Sequence, residues 1–194
     1  MVGCIHFYRI FSAMKKQLLL LVSILSITIA SFSQASLTAD QILSTAQAKA
    51  KKENKSVFLI FHASWCGWCH RMDTAMADPK VSKYFNDNYV ITHMTVMESK
   101  DKKGLENPGA LELMQKYSGE GSGIPFWLVY DKAGSVAADS REVKADGTVS
   151  GNVGCPAAEN EVAHFINVIK KTSSINATGL DLINKRFRKI ETGD

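Results

Sequence analysis

This chain contains no stretch apolar enough to read as a membrane span, no block of lysine and arginine interleaved with aromatics, and only four cysteines and four prolines in 194 residues. Each scarcity excludes a class. A bilayer-spanning helix needs about 20 consecutive apolar residues, whereas the run Leu18 to Ala30 is thirteen residues long and holds Ser23, Ser26 and Thr28, so a retained membrane anchor is the weaker reading of that run and a cleaved leader the stronger. Without a basic, aromatic-laced block there is no electrostatic footprint for nucleic acid, so no nucleic-acid partner is expected. Cys4, Cys66, Cys69 and Cys155 are too few for a disulfide-stapled scaffold. No repeat or low-complexity segment suggests a solenoid or a disordered tract.

What is present is ordinary globular composition, 45% hydrophobic and 22% charged, in a chain long enough for one domain with a sizeable core. Residues 1–35 read as a signal peptide: Lys15-Lys16 precede the apolar run, and Ser33-Gln34-Ala35 offers small residues for cleavage. Met14 is an alternative start. A periplasmic or otherwise extracytoplasmic location follows from that leader. Its removal takes away Arg9, Lys15 and Lys16 and leaves 20 basic against 19 acidic residues. The basic balance of the whole chain is therefore carried by the leader. Three cysteines remain in the mature chain, an odd count that leaves one thiol without a structural partner.

The informative stretch runs from Val57 through Phe61 into His62-Ala63-Ser64-Trp65-Cys66-Gly67-Trp68-Cys69-His70. A β-branched, apolar run followed by C-x-x-C and helical spacing reads as a buried strand delivering two cysteines to the first turn of a helix. Helical residues three apart have Cβ atoms roughly 5–6 Å apart, and a disulfide needs Cα atoms about 4.4–6.8 Å apart, so the pair can bond or separate with little backbone movement. The helix N-terminus favours an anion on Cys66. If its pKa falls from about 8.5 to about 7, the thiolate fraction at neutral pH rises roughly fifteen-fold while nucleophilicity falls roughly five-fold. The larger benefit is that a low-pKa sulfur leaves well when Cys69 attacks a mixed disulfide.

The strand, the Trp65-Cys66-Gly67-Trp68-Cys69 motif and the downstream Ile124-Pro125 resemble the thioredoxin family, in particular its secreted thiol:disulfide interchange members. The likeness spans most of residues 38–172. It implies an α/β thioredoxin-like fold, a central mixed sheet of four to five strands flanked by helices, and no bound cofactor. It further implies Cys66 as the exposed nucleophile and Cys69 as the buried resolving thiol. A cis peptide before Pro125 and substrate contacts from Trp65, Gly67, Trp68, Ile124 and Pro125 also follow from the resemblance, as do His70 and Cys155 as accessory residues. The expected partners are polypeptides bearing disulfides or thiols and a membrane or exported redox protein that restores the dithiol. Two departures stand out. Gly67-Trp68 replaces the Gly-Pro of thioredoxin, and the position of the family's buried acid falls on Ile60. His62, Asp73 or a water remain open as proton carriers for Cys69.

Along the chain, Thr38 to Gln41 resembles a capping box opening a helix over 39–52 with Ile42, Leu43, Ala46 and Ala50 on one face. After the cysteines, Trp68, Met72, Ala75 and Met76 form a stripe expected to pack on the sheet, and Asp78-Pro79 ends that helix. Val81, Tyr84 and Phe85 mark a short second piece. Tyr89 to Met97 should pair parallel to the strand over 57–62. Residues 98–107 read as a polar insertion, with Asn107 as N-cap and Pro108 as first residue of the next helix. Phe126 to Tyr130 and Ser135 to Ala138 form a hairpin, Asp146-Gly147 marks another turn that would add a small hairpin at the edge of the sheet, and Val162, Phe165, Ile166 and Ile169 line a late helix. The body thus spans 36–172, and 173–194 is a C-terminal helical extension with Leu182, Ile183, Phe187 and Ile190 on its apolar side.

The function read from these features is thiol-disulfide exchange on exported polypeptides, in the reducing direction. Isomerase or oxidase activity on the same fold is the near alternative. From other classes, Cys66-x-x-Cys69-His70 also matches the attachment motif of c-type haem, and a redox-idle binding or chaperone module would keep the fold without the chemistry. A zinc site lacks a second clustered ligand pair, so no metal is expected.

Overall fold

The computed structural model describes residues 36–144 and 146–193. The leader read over 1–35, with Cys4 and Met14, lies outside the described residues. Among those described, no helix is long and apolar enough to cross a membrane.

Four strands form a mixed sheet in the order β2-β1-β3-β4, with β1 at Ser56–His62, β2 at Tyr89–Thr95, β3 at Phe126–Tyr130 and β4 at Val136–Asp139. β1 runs parallel to β2 and antiparallel to β3, and β3 pairs antiparallel with β4. The expected parallel crossover and hairpin are both present. β1 is apolar along both faces because both faces are covered. Phe58 and Ile60 point into a cluster with Trp127, Val129, Met72, Phe85, Phe165 and Phe187. Val57, Leu59 and Phe61 point the other way, onto Ala46, Ala50 and Met114.

The helices divide accordingly. On the first face lie α2 (Gly67–Ala77), α3 (Ser82–Asn88), α5 (Glu159–Thr172) and α6 (Ala177–Thr192); on the second lie α1 (Ala39–Glu53) and α4 (Ala110–Ser118). α1 opens on the expected capping box, with Thr38 Oγ1 accepting from Gln41 N and Gln41 Oε1 accepting from Thr38 N. α6 is capped by Asn176 and lays Ile183 and Phe187 into the core. Ile166 of α5 is only half-buried, and Val168, not singled out from the sequence, is buried beside Ile169.

Two expectations are corrected. α4 begins at Ala110 behind Gly109, not at Pro108, because Asn107 is otherwise engaged: its Oδ1 accepts from Thr95 N at 2.7 Å and its Nδ2 donates to the Leu37 carbonyl at 2.9 Å. The polar 98–107 segment holds a 3-10 helix over Lys100–Leu105 and opens with a buried acid, Glu98. The turn at Asp146-Gly147 joins β5 (Arg141–Val143) to β6 (Val149–Asn152), a two-stranded ribbon of its own rather than an added edge of the main sheet.

Candidate active site at the start of helix α2

β1 ends at the point where α2 begins, and the loop between them carries the motif. Cys66 occupies the N-cap of α2 in an extended conformation, and its Sγ accepts from the backbone N–H of Cys69 at 3.1 Å. Cys66 and Cys69 are joined as a disulfide with Cα atoms 5.3 Å apart, within the span that helical i, i+3 spacing allows. A cap position satisfies an otherwise orphaned N–H through sulfur and places that sulfur at the positive end of the helix. The same contact favours a thiolate once the bond is reduced.

The other wall is the Ile124-Pro125 segment, whose peptide bond is cis as expected. The Ile124 carbonyl lies 3.7 Å from Cys66 Sγ, and Ile124 packs on a small apolar cluster of Ala63, Cys66 and Cys69. The nucleophile expected to be exposed is therefore nearly covered in the disulfide form: Cys66 is 3% exposed and Cys69 0%. The indoles flanking it are open, Trp65 at 59% and Trp68 at 48%. Trp68 thus leaves the stripe that Met72, Ala75 and Met76 bury. It sits in the first turn of α2. Arg71 stacks on its ring at 4.5 Å.

A cleft of about 270 Å³ runs beside the pair, bounded by Trp68, Ile124, Pro125, Asn152, Cys155 and Glu161. Trp68, Ile124, Pro125 and Cys155 meet here. Trp65 turns instead toward Met97, donating its indole N–H to the Met97 carbonyl at 2.8 Å. Gly67 has nothing within 4 Å of where a side chain would start. His70 is exposed and its Nε2 donates to the Ser64 carbonyl at 3.0 Å. Cys155 is a free, buried thiol, 5% exposed, and burial pushes its pKa up to about 12.

Two supports, Glu98 and Asn152, were not visible in the sequence. Glu98, 4% exposed, accepts from Ser64 N at 2.6 Å and from the Ser64 hydroxyl at 2.9 Å, and the backbone bond from Ser64 holds its pKa below the ordinary carboxylate value. Asn152 donates to the carbonyls of Gly123 and Pro125 at 2.8 and 2.9 Å while its Oδ1 accepts from Ser140 and Gly154. Position 60 remains apolar, with Ile60 fully buried, and polar groups cluster further along the same face. There His93 pairs with Asp73 at 2.8 Å and its ring lies 4.9 Å from that of His62. Desolvation, then the neighbouring His93, lower the pKa of His62, whose buried Nδ1 has no partner among the described residues.

No group of three or more His, Cys, Asp or Glu among the described residues is placed to hold a metal ion. What the arrangement can do is form and break one disulfide beside a cleft of mixed polar and apolar lining.

Topology and site define a thioredoxin-like fold carrying a C-x-x-C disulfide. Residues 38–132 match the family model described as thioredoxin-like. Spermatogenesis-associated protein 20 of Mus musculus is 27% identical over 81 residues, which are 41% of this chain and 10% of that protein; the chain spans about a tenth of the length of this curated relative. Among solved structures, a disulphide isomerase from Xylella fastidiosa Temecula1 is 20% identical, covers 84% of this chain and 95% of its own, and superposes with a TM-score of 0.45. A thioredoxin from Thermus thermophilus is 25% identical over 56% of this chain and 75% of its own, with a TM-score of 0.37.

Proposed function

We propose that this is an exported oxidoreductase that reduces disulfides in polypeptide substrates through Cys66 and Cys69. The observation carrying the proposal is the Cys66–Cys69 disulfide at the α2 N-terminus beside a cleft walled by Trp68, Ile124 and Pro125. In the dithiol state the Cys66 thiolate attacks one sulfur of a substrate disulfide, and the substrate's other sulfur leaves as a thiolate. Cys69, once deprotonated, attacks Cys66; the mixed disulfide breaks, the second substrate thiolate leaves, and two electrons have passed from protein to substrate. Trp65, Gly67, Trp68, Ile124 and Pro125 hold the substrate. His70 is an accessory group beside the pair, and Cys155 serves as a cleft wall, because a buried thiol held protonated is a poor third redox partner.

The leader over 1–35, the body over 36–172 and the helical segment over 173–194 belong to the same proposal, with a membrane or exported redox partner restoring the dithiol. The decisive experiment is trapping. Cys69→Ser protein should retain disulfide-linked polypeptides through Cys66 that dithiothreitol releases, while Cys66→Ser protein retains none. Equal retention by both variants, or none by either, overturns the proposal. Direction is read from the reduction potential: a value near about −270 mV supports a reductant, and one near about −120 to −180 mV an oxidase or isomerase.

A further inference from the structure

On the far side of Trp68 from the cleft lies a second groove, of about 380 Å³, between α2 and α6. His70, Arg71, Thr74, Arg186 and Lys189 line it, and among the described residues no acidic side chain does. Arg186 is partly neutralised by Asp78 at 2.7 Å. Arg71 and Lys189 form no ion pair among the described residues; Arg71 instead lies 4.5 Å over the Trp68 ring. That stacked pair is the partition: its indole borders the cleft beside the disulfide and its guanidinium borders the basic groove. A polypeptide reacting in the cleft and passing over Trp68 therefore enters a positively charged channel a few residues from its cysteine.

We infer that this groove is a subsite for an acidic segment of the polypeptide substrate, lying on one flank of the cysteine that Cys66 attacks. The inference rests on the substrate class proposed above and adds to it a charge requirement and a side. The cleft beside the disulfide contributes burial against Trp68, Ile124 and Pro125, whereas Arg71 and Lys189, two cations with no ion pair among the described residues, reward a carboxylate-bearing flank and steer its approach. An acidic occupant is favoured over a neutral one because it supplies counter-charge to these two cations.

The test uses the full chain and three peptides with the same single disulfide: one with three glutamates N-terminal to the cysteine, one with them C-terminal, and one with glutamines in their place. The glutamate peptide of one flank should show a KM lower than the glutamine peptide by about five-fold at low salt, with similar kcat, and the other flank should show no gain. Raising ionic strength from about 0.02 to about 0.3 M should erase the difference, because exposed charges are screened beyond a few ångströms at the higher salt. Lys189→Glu, an exposed position, and independently Arg71→Gln should bring the ratio of the two kcat/KM values toward one. Equal KM for all three peptides, or a gain that persists in salt and in both variants, overturns the subsite while leaving thiol-disulfide exchange standing. Failure to turn over any peptide removes the exchange reading itself, and the subsite with it.

Discussion

Glu98 and Ser64 are joined twice: one carboxylate oxygen accepts the Ser64 backbone N–H at 2.6 Å and the other accepts the Ser64 hydroxyl at 2.9 Å. The two residues are 34 positions apart, and the link ties the loop after β2 to the turn that presents Cys66. A carboxylate that accepts two bonds while 4% exposed is favoured in its charged form, so its pKa lies below the ordinary value of 4.5. A depressed carboxylate contributes stability that is fully present above the unfolded value and is lost as pH falls through the folded one. Wild type should therefore lose stability below about pH 4.5, and Glu98→Gln should lack that component. The variant should be less stable at pH 7 and approach wild type near pH 3. Urea unfolding at a series of pH values checks this, and parallel curves over the whole range would refute it.

Asn152 gives the proline loop an equivalent support from the other side. Its amide donates to the Gly123 and Pro125 carbonyls and its oxygen accepts from Ser140 Oγ at 2.6 Å and Gly154 N at 2.9 Å. All four bonding positions of the side chain are thereby used. Asn152→Ala leaves those partners to find water or go unpaired, at about 1–3 kcal/mol. The expected functional signature is a raised KM for a disulfide peptide with the Cys66–Cys69 reduction potential unchanged, since the cap at Cys66 is untouched. A shifted potential with unchanged KM would show that Asn152 acts on the cysteines instead of the loop.

These two residues mark where the sequence stops being readable. The strand into the C-x-x-C, the capping box at Thr38 and the hairpin at Asp131 to Gly134 are local patterns, each decided by residues within a few positions, and the structure has them all. Glu98 and Asn152 are polar residues in segments with no period of their own, and their partners come from other elements. Asn107 shows the converse failure. An Asn-Pro pair is a good helix-start signal, but two long-range bonds, to Thr95 and Leu37, outcompete the cap. Trp68 falls on the helical stripe by spacing alone, yet in the first turn of α2 it is open to solvent and stacked by Arg71 instead of buried with Met72, Ala75 and Met76.

Cys155 should be chemically silent in the folded protein. Its pKa is pushed up to about 12, from an ordinary value of 9.0, chiefly by burial, which lowers the thiolate fraction at pH 8 by about a thousandfold. After mild reduction, native alkylation followed by peptide mapping should modify Cys66 first and leave Cys155 unmodified until denaturant is added. Labelling of Cys155 at a rate comparable to Cys66 would show that the cleft wall opens and would revive its reading as a third redox thiol.

The last helix is held where Gly179 meets Tyr84. A Cβ at that position would lie 2.6 Å from Ile175 Cγ2 and 2.7 Å from the Tyr84 ring, closer than any real carbon contact, so α6 can approach α3 this closely only with glycine there. Four residues further along, Ile183 begins the buried stripe that continues to Phe187, whose ring packs 4.7 Å from Phe165 and 6.3 Å from Phe85. Gly179→Ala gains helix propensity of about 1 kcal/mol, but it must displace Tyr84 or lift the first turn of α6. Overpacking of this kind costs about 1–3 kcal/mol. Because Arg186 and Lys189 ride on the same helix, a lifted turn also shifts the basic groove. The expected outcome is a lower midpoint in urea with an unchanged slope, together with a weakened preference for glutamate-bearing peptides and unchanged trapping through Cys66. A midpoint equal to or above wild type would mean that α6 tolerates displacement from Tyr84, and that the core does not depend on this contact.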